Sequence, residues 1–156
     1  METNGLSHIG LRTVDVDRAA RFYTSALGGA IERTRTEPDR RAWVRVRGVM
    51  LEIAEMPSWN CLDAQQRAAL PMVAFAVSPE EVDALVARLD AAGVPRHGPV
   101  LKATGESVGV YFADPDGKAL SLSCPPGYPT AGLSRRARDW VAAPFDWQPA
   151  PAEVTP

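Results

Sequence analysis

From Leu6 to Thr13 apolar and polar positions alternate, with Ile9 and Leu11 on one face and Leu6, His8, Gly10 and Arg12 on the other, the period of a half-buried strand. The period then lengthens. Ala19, Phe22, Tyr23 and Ala26 share one helical stripe, Asp15 or Asp17 can cap its start and Gly28-Gly29 can stop it, which predicts a helix ending at Leu27. Extended stretches follow at 30–35, 42–47 and 49–54. The same order returns further on. A strand over 72–77 leads into Ser78-Pro79-Glu80-Glu81, where serine can cap, proline suits the first helical position and Glu81 can close a capping box. Val82, Leu85, Val86 and Leu89 then mark a helix over about 79–92 with Gly93 as its stop. Strands over 100–103, 108–113 and 119–123 complete the set.

An offset of 64 residues superimposes His8 on Met72, Leu11 on Phe75 and Gly29 on Gly93. The chain therefore reads as an α+β protein made of two βαβββ modules, about 5–56 and 71–124, joined by a linker over 57–70 whose segment 61–70 favours a short helix. Asp114-Pro115-Asp116-Gly117 falls between the last two strands and has the residues of a tight turn; it lacks the further ligands of a calcium loop. Half of the fourteen prolines lie in 125–156, which separates a single domain over 1–124 from a Pro-rich extension. Within the extension 134–141 reads as a short helix, and the last eight residues read as mobile. Trp140, Phe145 and Trp147 are too apolar to stand in water and are expected to dock on the chain's own sheet edge, on a partner subunit, or as a lid over a cavity.

Seventeen basic against nineteen acidic residues leave a net charge of -2, which argues against nucleic acid or an anionic membrane as the main partner. Six arginines between Arg33 and Arg47 form a local basic cluster, read here as a solvated strand face. No apolar run is long enough to span a bilayer and METNGLSHIG has no signal-peptide character, so the expected location is the cytoplasm. Cys61 and Cys124 form no CxxC pair and are expected to be reduced and structural. Nothing resembles a nucleophile elbow or a phosphate-binding loop.

The opening SHIGLRTVDVDRAARFYTSALGG and the closing GVYFADPDGKALSLS, set in two βαβββ halves, resemble the vicinal oxygen chelate superfamily of glyoxalases, bleomycin-binding proteins, fosfomycin-modifying enzymes and extradiol dioxygenases. The resemblance covers about Leu6 to Ser123. It implies curved mixed sheets enclosing a cavity, commonly in a homodimer, and in the metal-dependent members one ligand from the first and one from the last strand of each half. Carried onto this chain, the ligand positions are His8 and Glu52 in the first half and Met72 and Ser121 in the second. A thioether and a neutral hydroxyl replace two strong ligands there, and two strong donors alone make a weak divalent site. No cofactor is therefore expected, with His8 and Glu52 as remnant metal candidates and a divalent ion as the alternative.

Strand parity extends this picture. With His8 facing the cavity, Arg12, Met50, Glu52, Met72, Ala74, Ser121 and Ser123 face it too, while Ala42, Val44 and Val46 pack outward and leave Trp43, Arg45 and Arg47 for the cavity or solvent. His97 falls in a Pro/Gly-rich loop. The expected ligand set is His8, Arg12, Trp43, Arg45, Met50, Glu52, Met72 and Ser121, around an aromatic or planar organic compound. Two functions fit. One is sequestration of such a compound without chemistry. The other is an enzyme, of lyase, isomerase, cyclase or dioxygenase type, in which Glu52 and His8 act as base and acid or within a reduced metal site. A plain His8–Glu52 hydrogen bond across adjacent strands is the structural alternative for that pair.

Overall fold

The computed structural model describes residues 5–148 except 62, 64, 67, 68, 104, 138, 139, 141 and 142, and the side chains of Asn60 and Cys61 lie outside the description. The first module consists of β1 (Ile9–Thr13), α1 (Val16–Leu27), β2 (Ala30–Arg35), β3 (Arg41–Val46) and β4 (Val49–Glu55). The second repeats it with β5 (Val73–Ala76), α2 (Val82–Ala91), β6 (Arg96–Leu101), β7 (Val108–Ala113) and β8 (Ala119–Cys124). The two sheets share one topology, β1-β4-β3-β2 and β5-β8-β7-β6. In each, the first strand pairs in parallel with the last, and the other pairs are antiparallel. The duplicated α+β architecture is thus present in full.

Local chemistry accounts for the element ends. Asp15 accepts the Arg18 N–H at 2.9 Å as the cap of α1, and Gly28 closes that helix at φ 68, a left-handed conformation in which a side chain would be strained. Glu81 accepts from the Ser78 N–H and hydroxyl, both at 2.9 Å, in the capping box formed ahead of α2. A 3-10 turn over Pro79–Glu81 comes first, and α2 proper starts at Val82.

Leu11, Phe22, Tyr23, Val44, Leu51 and Ile53 of module one and Phe75, Leu89, Val110, Phe112, Leu120 and Leu122 of module two are buried in one continuous core beneath the helices. Parity holds on this side: Val44 and Val46 are fully buried while Trp43 and Arg45 turn to the opposite face. Cys124 is a free thiol in the core, away from Ser121, as the alternation requires. The DPDG turn fastens the modules together. Asp114 accepts from Tyr23 Oη at 3.0 Å and from the backbone N–H groups of Asp116 and Lys118 at 3.1 and 2.8 Å, while Asp116 accepts from Thr13 and Arg18. From the other direction Arg47 donates to the Ala76 carbonyl at 2.9 Å and pairs with Glu81.

Several expectations need correction. β6 starts at Arg96, so His97 lies in a strand. Gly98 makes this possible: at φ 117 it stands where a Cβ would sit 2.5 Å from the Gly109 carbonyl oxygen, and the ladder bulges between His97 and Val100. Arg47, expected at the cavity or in solvent, is exposed and also makes the bridge to module two just described. Of the linker, Pro57–Cys61 is a 3-10 turn and only Gln65 and Gln66 are helical among its described residues.

The C-terminal helix is absent where the extension is described. Ser134 accepts from Leu101 N–H at 2.9 Å and Arg136 N–H donates to the Leu101 carbonyl at 3.0 Å, so this stretch is extended and bridges in parallel to β6. Two adjacent arginines and a sheet edge with free backbone groups outweigh the weak helical pattern. Farther on, Phe145 and Trp147 pack edge-on against Phe22, and Trp147 Nε1 donates to the Ala92 carbonyl at 2.9 Å. Of the three docking sites considered, the chain's own sheet edge takes Trp140, on His97 of β6, whereas Phe145 and Trp147 dock on α1 and the residue after α2, which was not among them. The last eight residues, expected to be mobile, lie outside the described residues.

Candidate functional site

Each sheet has one face turned away from the helices, and the candidate residues fall on these two faces. On module one, parallel pairing of β1 with β4 places Gly10 opposite Glu52, and antiparallel pairing of β3 with β4 places Trp43 opposite the same Glu52. His8 Nε2 comes to 3.7 Å from Glu52 Oε2, so these two predicted partners do meet. The other carboxylate oxygen accepts from Arg41. Arg41 also holds Asp39, its Nε to Oδ2 at 2.6 Å, and this pairing raises the Arg41 guanidinium above its ordinary value.

The remaining module-one candidates are spread around this pair. The guanidinium of Arg33 covers the Trp43 ring at 3.8 Å, so the indole already carries a cation from its own sheet. Arg45 pairs with Glu32 on the strand edge and is drawn off the site. Met50 shares a shallow hollow of about 380 Å³ with Glu32, Arg33 and Trp43. Arg12 is exposed on β1; burial lowers the Lys118 ammonium below its ordinary value, Asp114 and Asp116 oppose this, and the charge of Arg12 adds slightly to it.

On module two, Ser121 is opposite Ala74 on one side and Tyr111 on the other, and it is only 1% exposed. Met72 precedes β5 and is 42% exposed. No group of three or more His, Cys, Asp or Glu side chains able to hold a metal occurs among the described residues.

A more strongly charged hollow lies beside Ser121. Leu101, Lys102, Ala103, Tyr111, Arg135 and Arg136 line a cavity of about 560 Å³. Arg136 lies over the Tyr111 ring at 4.1 Å, and Lys102 Nζ bonds Ser123 Oγ. Burial above all pushes the Lys102 ammonium below its ordinary value, opposed by Cys124 and then aided by the charge of Arg136. Lys102, Arg135 and Arg136 thus put three cations on one cavity, with no carboxylate among the described lining residues. Sequence reasoning missed these residues. Tyr111 was within reach, because it pairs with Ser121 and shares its face; the other three required knowledge of where the extension docks.

The donor set does not fit the divalent ion that the fold implies. Glu52 is engaged by a guanidinium on one oxygen and faces an imidazole with the other, and the two positions of module two offer a soft thioether and a buried neutral hydroxyl. A cation entering beside Arg41 would meet like charge in place of a free carboxylate.

Two four-stranded βαβββ sheets with ligand-bearing faces define the class. Residues 5–122 match the family model of the Glyoxalase/Bleomycin resistance protein/Dioxygenase superfamily, and the chain belongs to that superfamily. Among solved structures, it is similar to the fosfomycin resistance protein FosX of Listeria monocytogenes, with 24% identity and TM-score 0.65 over 78% of this chain and 91% of that one. An integron cassette protein from the mobile metagenome of the Halifax Harbour sewage outfall is 27% identical, with TM-score 0.62 over 78% of this chain and 99% of that one. FosX of Mesorhizobium loti is 17% identical, with TM-score 0.61 over 78% and 92%. Listeria FosX has been crystallised with Mn(II) and sulfate, and a mutant of it with Mn(II) and 1S,2S-dihydroxypropylphosphonic acid. No curated protein matches the chain.

Proposed function

We propose that this protein binds a small organic anion with a planar or aromatic body, without a divalent metal, and acts by sequestration. The observation that carries the reading is the 560 Å³ cavity lined by Lys102, Arg135, Arg136 and Tyr111, where three cations converge and no carboxylate is among the described lining residues. A carboxylate, sulfonate or phosphonate satisfies the cations, and a flat body lies along the Arg136 guanidinium that covers the Tyr111 ring. The phosphonate bound by the Listeria FosX mutant shows that a relative of this fold takes an anion of the same class. Where the two module faces pair, the exposed Met72 and, from module one, Trp43, Met50 and Arg12 would add further surface. A homodimer, formed either by paired modules within each chain or by exchange between chains, would cover the exposed Leu6, Ile31 and Met72. The reduced, buried Cys124 suits the cytoplasm.

The test is calorimetric titration with aromatic carboxylates, sulfonates and phosphonates beside their neutral amides or esters. Anions are expected to bind at least tenfold more tightly than the neutral forms, and Lys102→Met to remove most of that difference. Equal affinity for both would refute the reading.

The approach of His8 Nε2 to Glu52 Oε2 at 3.7 Å favours a second reading, an acid/base enzyme without metal. Arg41 would then hold the Glu52 carboxylate in place while its other oxygen exchanges a proton with substrate. Under this reading Glu52→Gln abolishes turnover of a bound anion and leaves its affinity within a few-fold; under sequestration no turnover occurs with either protein.

A further inference from the structure

The seam between the modules holds a further hollow, built from a helix start, two turns and the extension. Its volume is about 490 Å³, and its wall includes Arg18 of α1, Trp59 of the 3-10 turn after β4, Pro115 and Asp116 of the DPDG turn, and Phe145 and Asp146. Two donors in this wall are buried and unpaired. Trp59 is 9% exposed and its Nε1–H has no hydrogen-bond partner among the described residues; the same is true of Arg18 Nε.

Neighbouring contacts hold both groups where they are. Arg18 gives its Nη2 to Asp116, which also accepts from Thr13, and the Lys118 ammonium lies over the indole of Trp59 at 4.5 Å. Neither donor can turn to find a partner without breaking one of these. An orphaned buried N–H is rare, because it forgoes both water and a protein acceptor. Two of them in the wall of one hollow would be completed by an acceptor from outside.

The charges of the wall select that acceptor. A carboxylate or phosphonate would meet Asp116 and Asp146 as like charges, and an ammonium would set its own charge against the two N–H groups. A carboxamide suits both. Its carbonyl oxygen accepts, and its N–H groups donate to Asp146, which now takes a long bond of 3.4 Å from Gln148. Trp59, Pro115 and Phe145 surround an apolar body.

We propose that this hollow binds a neutral carboxamide on a small aromatic body, with the carbonyl oxygen on Trp59 Nε1 and Arg18 Nε and the amide nitrogen on Asp146. Both protein nitrogens are closed to water as the wall stands, and Pro144 and Asp146 are its exposed part, so a small shift there admits the ligand. The site is independent of the anion-binding reading and shares no residue with the module-two cavity.

The probes are toluene, acetophenone and benzamide, added to the isotope-labelled full chain and followed by NMR at the Trp59 indole N–H, which is assigned by its loss in Trp59→Phe. Toluene offers the body alone, acetophenone adds the acceptor, and benzamide adds the donors. Fragments of this size are expected to bind in the millimolar range. Acetophenone should bind about tenfold more tightly than toluene, and benzamide more tightly again. The indole N–H should move downfield with the two carbonyl compounds and not with toluene.

Trp59→Phe keeps a ring in the wall; it should remove most of the carbonyl advantage and leave toluene affinity within a few-fold. Asp146→Ala should bring benzamide down to the level of acetophenone, and Lys102→Met, in the anion cavity, should change nothing. Should Trp59→Phe fail to fold, the affinity series on the wild type decides alone. Equal affinity for the three probes would show an apolar hollow whose donors water satisfies, and would overturn the proposal. Benzoate or benzylammonium binding more tightly than benzamide would overturn the carboxamide class. An indole N–H that answers to no probe would overturn the site itself, with the anion-binding reading untouched.

Discussion

Asp114 is the sharpest test of the electrostatics that join the two modules. It is 2% exposed, and its carboxyl accepts two backbone N–H groups and the Tyr23 hydroxyl. Burial nevertheless dominates and raises it from 3.8 to about 6, helped by Asp116 and opposed by the turn's N–H donors, Lys118 and the Tyr23 hydroxyl. A group raised in this way binds its proton more tightly when folded. Its contribution to stability is full below the unfolded value and is lost as pH rises through about 6. The shift of about two units corresponds to about 3 kcal/mol lost between pH 4 and pH 7.

Asp114→Asn removes that dependence at little structural cost. The amide oxygen can accept from the Asp116 and Lys118 N–H groups, and Tyr23 can turn its hydroxyl to accept from the amide nitrogen. Urea denaturation at intervals from pH 4 to pH 7.5 gives the comparison. Near pH 4 the two proteins should be nearly equal. The variant should then gain on the wild type as pH rises, by as much as about 3 kcal/mol at pH 7. Carboxylates held low by arginines, such as Glu81 at about 2, titrate equally in both proteins and cancel in the difference. A variant less stable at pH 7, by an amount that does not vary with pH, would show that the hydrogen bonds outweigh burial and would refute the reasoning.

Phe22 is fully buried and its ring meets Tyr23, Phe145 and Trp147, so Phe22→Ala should cost about 3–5 kcal/mol in chemical denaturation and should also loosen the extension, read as new exchange at the Ala92 and Val94 amides. Elemental analysis of untagged protein, followed by titration with zinc, manganese, nickel and iron(II), should give no stoichiometric metal; metal that is present in the wild type and lost in His8→Ala would overturn the metal-free reading.

The fold was legible because its signals are redundant. Alternation in β1 and β4, the helical stripe of Phe22 and Tyr23, the Ser78–Glu81 cap and the DPDG turn each point to the same module twice over. The site was legible only where a strand dictates it. Parity brought His8 to Glu52 and turned Val44 and Val46 away from Trp43, because a ladder leaves each side chain one choice of face. It failed wherever a side chain long enough to choose its partner was involved. Arg41 was assigned to a solvated cluster, yet it shares the face of Trp43 and reaches Glu52; Arg47 sits in a turn at φ 48 and reaches module two. The extension was the hardest part, since its docking depends on the shape of a surface that no local pattern encodes.

Whether Met72 and Ser121 of module two could be turned into metal ligands depends on Arg41. With a guanidinium bound to Glu52, a restored histidine and glutamate would face a carboxylate that is no longer free. Met72→His with Ser121→Glu is therefore expected to leave zinc unbound, whether the modules pair within a chain or between chains. Ser121 adds a second obstacle, being buried beside Tyr111, where a larger charged side chain must displace its neighbour. Adding Arg41→Met should release Glu52 and allow zinc to bind, with three strong donors and His8 as the fourth. Zinc titration of the three proteins separates the causes. Tight zinc binding by the double variant alone would mean that the lost ligands, and not the resident guanidinium, keep the metal out. No binding by the triple variant, in protein that is still folded, would mean that the two module faces do not come together at all.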